Sequence, residues 1–350
     1  MITIKLTDSM STIQKKLNKG GDIIWQNGVY DITKQLIIKS NSVINLNGAR
    51  LRRCANIQSI FLNKCKTSTT KYSGDGNIRI ATGTFEGMGK YSPDNLVTFF
   101  HSHDVIINNC TFLDTRCHAV EVNSSKNVTI ENCNFLGCNT EEAFREIIQI
   151  DTAYAGGFWK DGSSKKSKCY DGTMCENVAI IHCIFNKSNN RDCPKACIGT
   201  HTQMLGGTTH KNIKILQNYF ICGNEQACLS LIGMDDVQVL SNYFEQYGRV
   251  ARIYNKDFSY NLVGEKVIPK SGDGKCSNIR FINNTCNGTL GDNKCSGIYI
   301  DNDGTSNIHI VDNKFNKKGD TEKYYLYVTD KGCKDLIVNG NTTDLKARIK

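Results

Sequence analysis

From Asn77 to Thr343 the chain repeats one arrangement of apolar and polar positions. Each unit opens on Asn or Asp and continues as an apolar alternation. A small or amide residue follows six positions after the opener and, in most units, an aromatic eight positions after it. In chain order the triplets are Asn77/Gly83/Phe85, Asp104/Cys110/Phe112, Asn127/Cys133/Phe135, Asn177/Cys183/Phe185, Asn212/Asn218/Phe220, Asp236/Asn242/Phe244, Asn278/Asn284/Cys286, Asn307/Asn313/Phe315 and Asp335/Asn341/Thr343. The register does not slip. Between openers, as in Val128-Thr129-Ile130, side chains alternate with the two-residue period of a strand. Units recur at roughly 23 to 28 residues, with longer intervals where loops are inserted, and one unit is too small to bury its own apolar face. Neighbours must therefore stack, which puts an amide ladder at the turn and a column of Phe rings inside. The pattern predicts an all-β parallel β-helix.

Near the N-terminus, Ser11-Thr-Ile-Gln14 has the form of a capping box, Ile13 and Leu17 share a face, and Gly20-Gly21 ends the segment. A short amphipathic helix is expected there, placed as a lid over the open end of the solenoid. The organisation expected is an N-terminal strand and capping helix over 1–20, then a β-helix over 21–350 with inserted loops at about 154–173, 186–195 and 258–275. The runs Gly21-Asp-Ile-Ile-Trp25 to Ile32 and Leu36 to Gly48 resemble the first coil of the pectate-lyase-like superfamily, which includes β-helical proteins of phage tails. The resemblance implies a right-handed parallel β-helix, a scaffold shared by lyases, hydrolases, epimerases and inert spikes.

Three prolines and abundant Asn and Gly fit stacked strands with amide-rich turns. The net charge of +9 suits an anionic partner or a lysine-rich soluble surface. No aromatic-rich basic patch of nucleic-acid type is present, and no apolar run is long enough to cross a bilayer. Of the 17 cysteines, Cys110, Cys133 and Cys183 share a rung where other units place Asn, so reduced, buried thiols are expected. Cys169 and Cys175, in one inserted loop, are the pair expected to bond if any does. The first residues have no signal-peptide pattern, so a protein made in the cytoplasm is expected, one that, if it leaves its cell, does so by lysis, on a particle or by an unconventional route.

Each coil carries another strand before its opener. Aligned on the apolar alternation, these strands give two outward columns: Glu121, Gln149, Gly199, Ser230, Arg252, Tyr299, Tyr327, and Asn123, Asp151, His201, Ile232, Tyr254, Asp301, Thr329. Asp151 and His201 are thus expected as neighbours, with Gln149 and Glu121 beside them, Arg252 and Tyr254 two rungs on, and a gap at Gly199. Asp151, His201, Arg252 and Tyr254 form the candidate catalytic set, the kind of group needed for proton abstraction beside a carboxylate or for glycosidic cleavage. Singly, Asp151 could cap a turn, His201 could bond to backbone at a corner, and Arg252 could pair with Glu121 or Asp235.

The candidate substrate-binding residues are Glu121, Gln149, Trp159, Asp171, His210, Tyr299 and Asp301. Trp159 is either a sugar platform or a loop anchor, and Tyr299 with Tyr327 either stacks sugars or forms a solvated aromatic ladder. The fragments Arg145–Asp151, Tyr170–Asn177, Ile198–His201, His210–Ile215 and Ala251–Tyr254 resemble β-helix proteins of phages and gut bacteria that act on polysaccharides. The order of His201 and Arg252-Ile253 is similar to the Gly-His-Gly and Arg-Ile-Lys of pectin hydrolases. Thr200 and Tyr254 depart from that pattern, and the paired aspartates are missing. His101 and His103 have an alternate spacing that metal ligands sometimes use, but nothing completes a set, so no metal and no cofactor is assigned. Asp301-Asn-Asp-Gly304 looks like the start of a calcium loop without its twelfth-position Glu, and turn chemistry explains it as well.

These residues imply a polysaccharide lyase or glycoside hydrolase acting on an acidic glycan. The rival reading is a non-catalytic glycan-binding tail spike or adhesin. A homotrimer is expected by analogy with phage spikes.

Overall fold

The computed structural model describes residues 1–63, 68–88, 95–138, 146–155, 168–200, 202–289, 295–301, 305–316, 324–329 and 333–349; within strands, the side chains of 222–226, 246–247, 288–289 and 295–296 are outside that description. A 12-stranded parallel sheet collects the strands that run through the openers. A 20-stranded assembly is made of two ladders, joined where Tyr219–Leu231 and Tyr243–Tyr254 run through both. The chain is therefore a solenoid with three faces: an opener sheet, an aromatic sheet and, carrying the outward columns above, a polar sheet. Antiparallel pairing among the described residues is confined to a small hairpin, Ser259–Tyr260 with Lys266–Val267.

The reason for Asn and Asp at the openers is conformational. All nine have φ between +52° and +56°, and Gly20 (+65°) and Asn41 (+59°) extend the column by two coils. The residue five positions on is left-handed as well, from Thr82 and Asn109 to Asp312 and Gly340. Asn, Asp and Gly, which fill most of these positions, tolerate this region best; Thr82, His182 and Gln217 are the less usual occupants. The opener amides also tie coil to coil: Asn177 Nδ2 donates to Asn127 Oδ1 at 2.8 Å, and Asn212 Nδ2 to Asn177 Oδ1 at 2.7 Å. Inside, Asn242 Oδ1 accepts the backbone N–H of Asn218 at 2.9 Å, and Asn284 Oδ1 accepts that of Asn242 at the same distance. These bonds satisfy turn groups that would otherwise be buried unpaired.

The Phe column is continuous. Phe112, Phe135, Phe185, Phe220 and Phe244 stack with centroids 4.7–4.9 Å apart and planes within 15°. Each ring is fully buried and contributes about 2–3 kcal/mol by area alone.

At the N-terminal end the helix spans Met10–Leu17 and buries Ile13 and Leu17. Its cap is Ser9, not Ser11: the Ser9 hydroxyl accepts from Thr12 N–H at 3.2 Å, so the helix starts earlier than the capping-box pattern suggested. Gln14 then does what an edge needs. Its amide donates to Ile37 C=O at 2.9 Å and accepts from Ile37 N–H at 2.8 Å, closing the first strand of the polar sheet (Leu36–Ile38) to further pairing. Residues Ile2–Ile4 pair with Gly21–Trp25, so the first strand belongs to the same solenoid.

Every described cysteine is a free thiol. Cys110, Cys133 and Cys183 are buried, as expected. Cys169 and Cys175 do not bond to each other. Cys175 lies in the main core and donates to the carbonyls of Asp151 and Val122, whereas Cys169 packs in a separate cluster with Leu62, Phe100, Ala153 and Tyr170. No described helix is long and apolar enough to cross a membrane.

Candidate functional site

Strand pairing places Thr98, Glu121, Gln149, Gly199, Ser230, Arg252, Tyr299, Tyr327 and Arg348 in one outward column, the order expected from the alternation. What the sequence does not reveal is that the column is covered over its first half and open over its second.

In the covered half, Glu121, Gln149 and Asp151 are each only 2% exposed. Asp151 accepts from Gln149 Nε2 at 2.7 Å, Thr202 Oγ1 at 2.6 Å and Thr152 N–H at 2.8 Å. Glu121 accepts from Asn95 Nδ2 at 2.6 Å and Asn123 Nδ2 at 2.9 Å. These are satisfied buried carboxylates, which is structural chemistry. The expected contact of Asp151 with His201 falls outside the described residues, as His201 does, and the regular pairing of the two strands ends at Gln149 with Gly199. Beyond it Thr202 supplies the hydroxyl that Asp151 holds. Nor is Gly199 a gap. Its φ is +155°, and a Cβ there would meet the Ser230 carbonyl at 2.1 Å, so the missing side chain lets the next coil close in.

The cover is built by two segments that lock together. Asp273 Oδ1 accepts from the N–H groups of Gly206 and Gly207, and its Oδ2 accepts from Ser259 Oγ and Lys270 N–H. Gln203 donates to Ser259 Oγ and accepts from Lys256 N–H. The segments 203–207 and 256–273 are thus locked together, next to the Thr202 hydroxyl that Asp151 holds. Trp159 lies outside the described residues.

The open half begins at Arg252, whose side chain is 31% exposed. Its guanidinium carbon lies 3.9 Å from the Tyr254 ring centroid and 5.9 Å from that of Tyr299, while Arg249 covers Tyr299 at 4.8 Å. Asp301 stands 3.7 Å away, beyond hydrogen-bond reach. Neither Glu121 nor Asp235 pairs with Arg252; Asp235 accepts from Ser277 and Asn278. Arg252 Nε is buried and meets no hydrogen-bond acceptor among the described residues. The rings hold the faces of the guanidinium and leave its donor edge unused. Further along, Tyr299 and Tyr327 stack at 5.3 Å, and Arg348 lies 5.2 Å from the Tyr327 ring. Burial raises the phenol pKa of Tyr254, so it keeps its proton, and burial lowers that of the Lys256 ammonium.

Two predicted binding residues lie elsewhere. Asp171 accepts from the N–H groups of Lys71 and Thr173, beside a depression of about 500 Å³ lined by Tyr72, Thr173–Glu176, Gly207–Thr209 and Lys211. His210 is 1% exposed and points into the core, which removes it from direct contact with a ligand. Its Nδ1 accepts from Cys175 N–H at 3.0 Å, and burial pushes its pKa down to about 4. His101 is also buried, with each ring nitrogen on a carbonyl, those of Lys71 and Cys169. Of the calcium-like run only Asp301 is described. Alternation on the second turn of the last coils could have pointed to Arg348, since it continues the column through Tyr327.

No family model matches the chain. A curated relative, plasmin and fibronectin-binding protein A of Streptococcus pneumoniae, is 26% identical over 273 residues, covering 70% of this chain and 37% of its own length. The chain therefore spans little more than a third of that protein. The crystal structure of PfbA, described as a surface adhesin of S. pneumoniae, matches with a TM-score of 0.72 at 20% identity over 99% of this chain and 92% of that one. A tailspike protein of E. coli bacteriophage HK620, solved with a pentasaccharide, matches with a TM-score of 0.63 at 14% identity over 99% and 61%. The fold is the right-handed parallel β-helix. At these identities the likeness extends to the architecture.

Proposed function

We propose that the protein binds an acidic polysaccharide across the open half of the polar sheet. The observation that carries this reading is Arg252: a guanidinium set against tyrosine rings, its side chain 31% exposed, its Nε without a hydrogen-bond acceptor among the described residues and its Nη2 only loosely paired with Asp301 at 3.7 Å. A planar carboxylate fits a guanidinium edge in a bidentate fork, and the edges of the stacked Tyr299 and Tyr327 rings continue the strip beside it. The adhesin and the saccharide-bound tailspike that share the architecture support a binding role on this scaffold.

A second reading adds cleavage by β-elimination. With a uronate carboxylate on Arg252, Lys256, whose ammonium is destabilised by burial, would take the C5 proton. The C4–O bond would break as the C4–C5 double bond forms, and solvent water would give a proton to the leaving oxygen. Asp151 is sealed and fully hydrogen-bonded, so it offers no general acid for a hydrolase.

Incubating the protein with a panel of uronate polysaccharides, while following binding, reducing ends and the ultraviolet absorbance of unsaturated uronates, tests both readings. Binding lost in Arg252→Gln supports the first. A rise in absorbance and reducing ends together adds the second. Absence of binding to every acidic polymer contradicts the proposal.

A further inference from the structure

At the corner where the polar sheet gives way to the opener sheet, strand register sets Lys126, Glu176, Lys211 and Asp235 on four successive rungs. Opposite charges so placed attract one another, yet among the described residues Glu176 and Lys211 form no ion pair. Asp235 instead accepts from Ser277 and Asn278, and the Lys126 ammonium lies 5.1 Å from the centre of the Tyr72 ring. The Glu176 carboxylate meets the Tyr72 hydroxyl at 3.5 Å, but that hydroxyl already donates to Met174 C=O at 2.9 Å. Glu176 and Lys211 both line the depression of about 500 Å³ at this corner, with Tyr72 on the wall. Its backbone, by contrast, is fastened from behind. Asp171 holds the N–H groups of Lys71 and Thr173, and the buried hydroxyls of Ser124 and Thr152 hold Thr173 C=O. His210 holds Cys175 N–H from the core, and Asp273 holds Gly207 N–H. The walls are thus fixed while two opposite charges facing the same space are left unused, and a fixed site of this size is what a small ligand binds at least cost in ordering.

From this combination we infer that the depression is a second binding site, separate from Arg252, for a small zwitterion whose ammonium meets Glu176 and whose carboxylate meets Lys211, with its carbon skeleton beside Tyr72. A lone cation drawn to Glu176 is repelled by Lys211, and a lone anion meets the reverse; a ligand that carries both charges gains from each. The two rungs are about 4.8 Å apart at the backbone, a span that an ammonium and a carboxylate one or two residues apart can bridge. The chemical class is therefore a free amino acid or a dipeptide, which share these two end groups.

The test is a ligand-observed NMR titration of glycine, leucine, glutamate, lysine and dialanine, with N-acetylleucine and leucinamide as controls that each lack one charge. The proteins are the unaltered chain and its Glu176→Gln, Lys211→Gln and Arg252→Gln variants, with thermal melts to show that each is folded. Saturable binding of an amino acid or of dialanine is expected below about 10 mM, and whichever of the two binds more tightly sets the length of the ligand. Both blocked leucines should bind about tenfold more weakly than a zwitterion that binds. Glu176→Gln and Lys211→Gln should each weaken the zwitterion about tenfold, whereas Arg252→Gln should leave it unchanged. Glu176→Gln should not affect the residual binding of N-acetylleucine, nor Lys211→Gln that of leucinamide. Failure of every zwitterion to bind overturns the inference. So does equal binding of the blocked forms on the unaltered protein, a result that no folding defect can mimic, or a loss seen in Arg252→Gln and not in the two corner variants.

Discussion

The two halves of the polar sheet share one column and one register, yet they differ in what stands over them. In the first half Glu121, Gln149 and Asp151 point outward yet are buried, with Thr202, at the start of the segment that Gln203 ties to Ser259 and Asp273, bonded to Asp151. In the second half Arg252, Tyr299 and Tyr327 point outward and stay partly open. The described donors to the sealed carboxylates are neutral amides, hydroxyls and backbone N–H groups, whereas the open guanidinium has an Nε with no acceptor among the described residues. Position in a column therefore does not make a residue functional. What counts is whether its hydrogen-bonding capacity is already consumed by the fold.

This contrast can be broken most forcefully in the sealed half. Asp151→Ala strands the donors of Gln149, Thr202 and Thr152 in the interior, and a loss of about 3 kcal/mol or more of stability is expected in a denaturant melt. Binding by the folded fraction should be unchanged. A binding loss without a stability loss would mean that Asp151 reaches ligand after all.

The next effect is a pH dependence under the seal. His210 has a folded pKa of about 4 against an ordinary 6.5, so the unfolded chain binds its proton first. Its stabilising contribution is complete above about pH 6.5 and is lost as pH falls towards 4, on the order of 3 kcal/mol in total. The neighbouring coil places Met234 at the same inward position, so in His210→Met this part of the pH dependence should vanish. Melting curves at several pH values check it; an unchanged slope in the variant would assign the acid loss elsewhere.

In the open half the expected effects fall on binding. Arg252→Gln should cost about 2 kcal/mol of glycan affinity, roughly 30-fold, with stability changed by less than about 0.5 kcal/mol. Tyr327→Ala should cost about 1 kcal/mol of affinity, read by the same titration, since it removes the ring against which Tyr299 and Arg348 are held.

The solenoid was legible because its signal is periodic. Nine openers, a fixed sixth and eighth position and a two-residue alternation define coil, turn, Phe stack and both outward columns. A second turn signal was also present: the residue five after each opener is polar or Gly throughout, and the structure shows it left-handed each time. The seal was not legible. Asp273 binding Gly206 and Gly207, or Gln203 binding Ser259, joins segments with no repeat, and nothing local marks a carboxylate as already satisfied. For the same reason the Gln14 clamp on Ile37 and the departure of the chain after Gly199 are visible only in three dimensions.

The most direct measurement is a calorimetric titration of an acidic tetrasaccharide against three proteins: unaltered, Arg252→Gln and Asp151→Asn. The account predicts saturable binding by the first, a loss of about 30-fold in the second, and affinity within about twofold of the unaltered protein in the third. Equal affinity in the unaltered protein and Arg252→Gln, or a binding loss confined to Asp151→Asn, would contradict it.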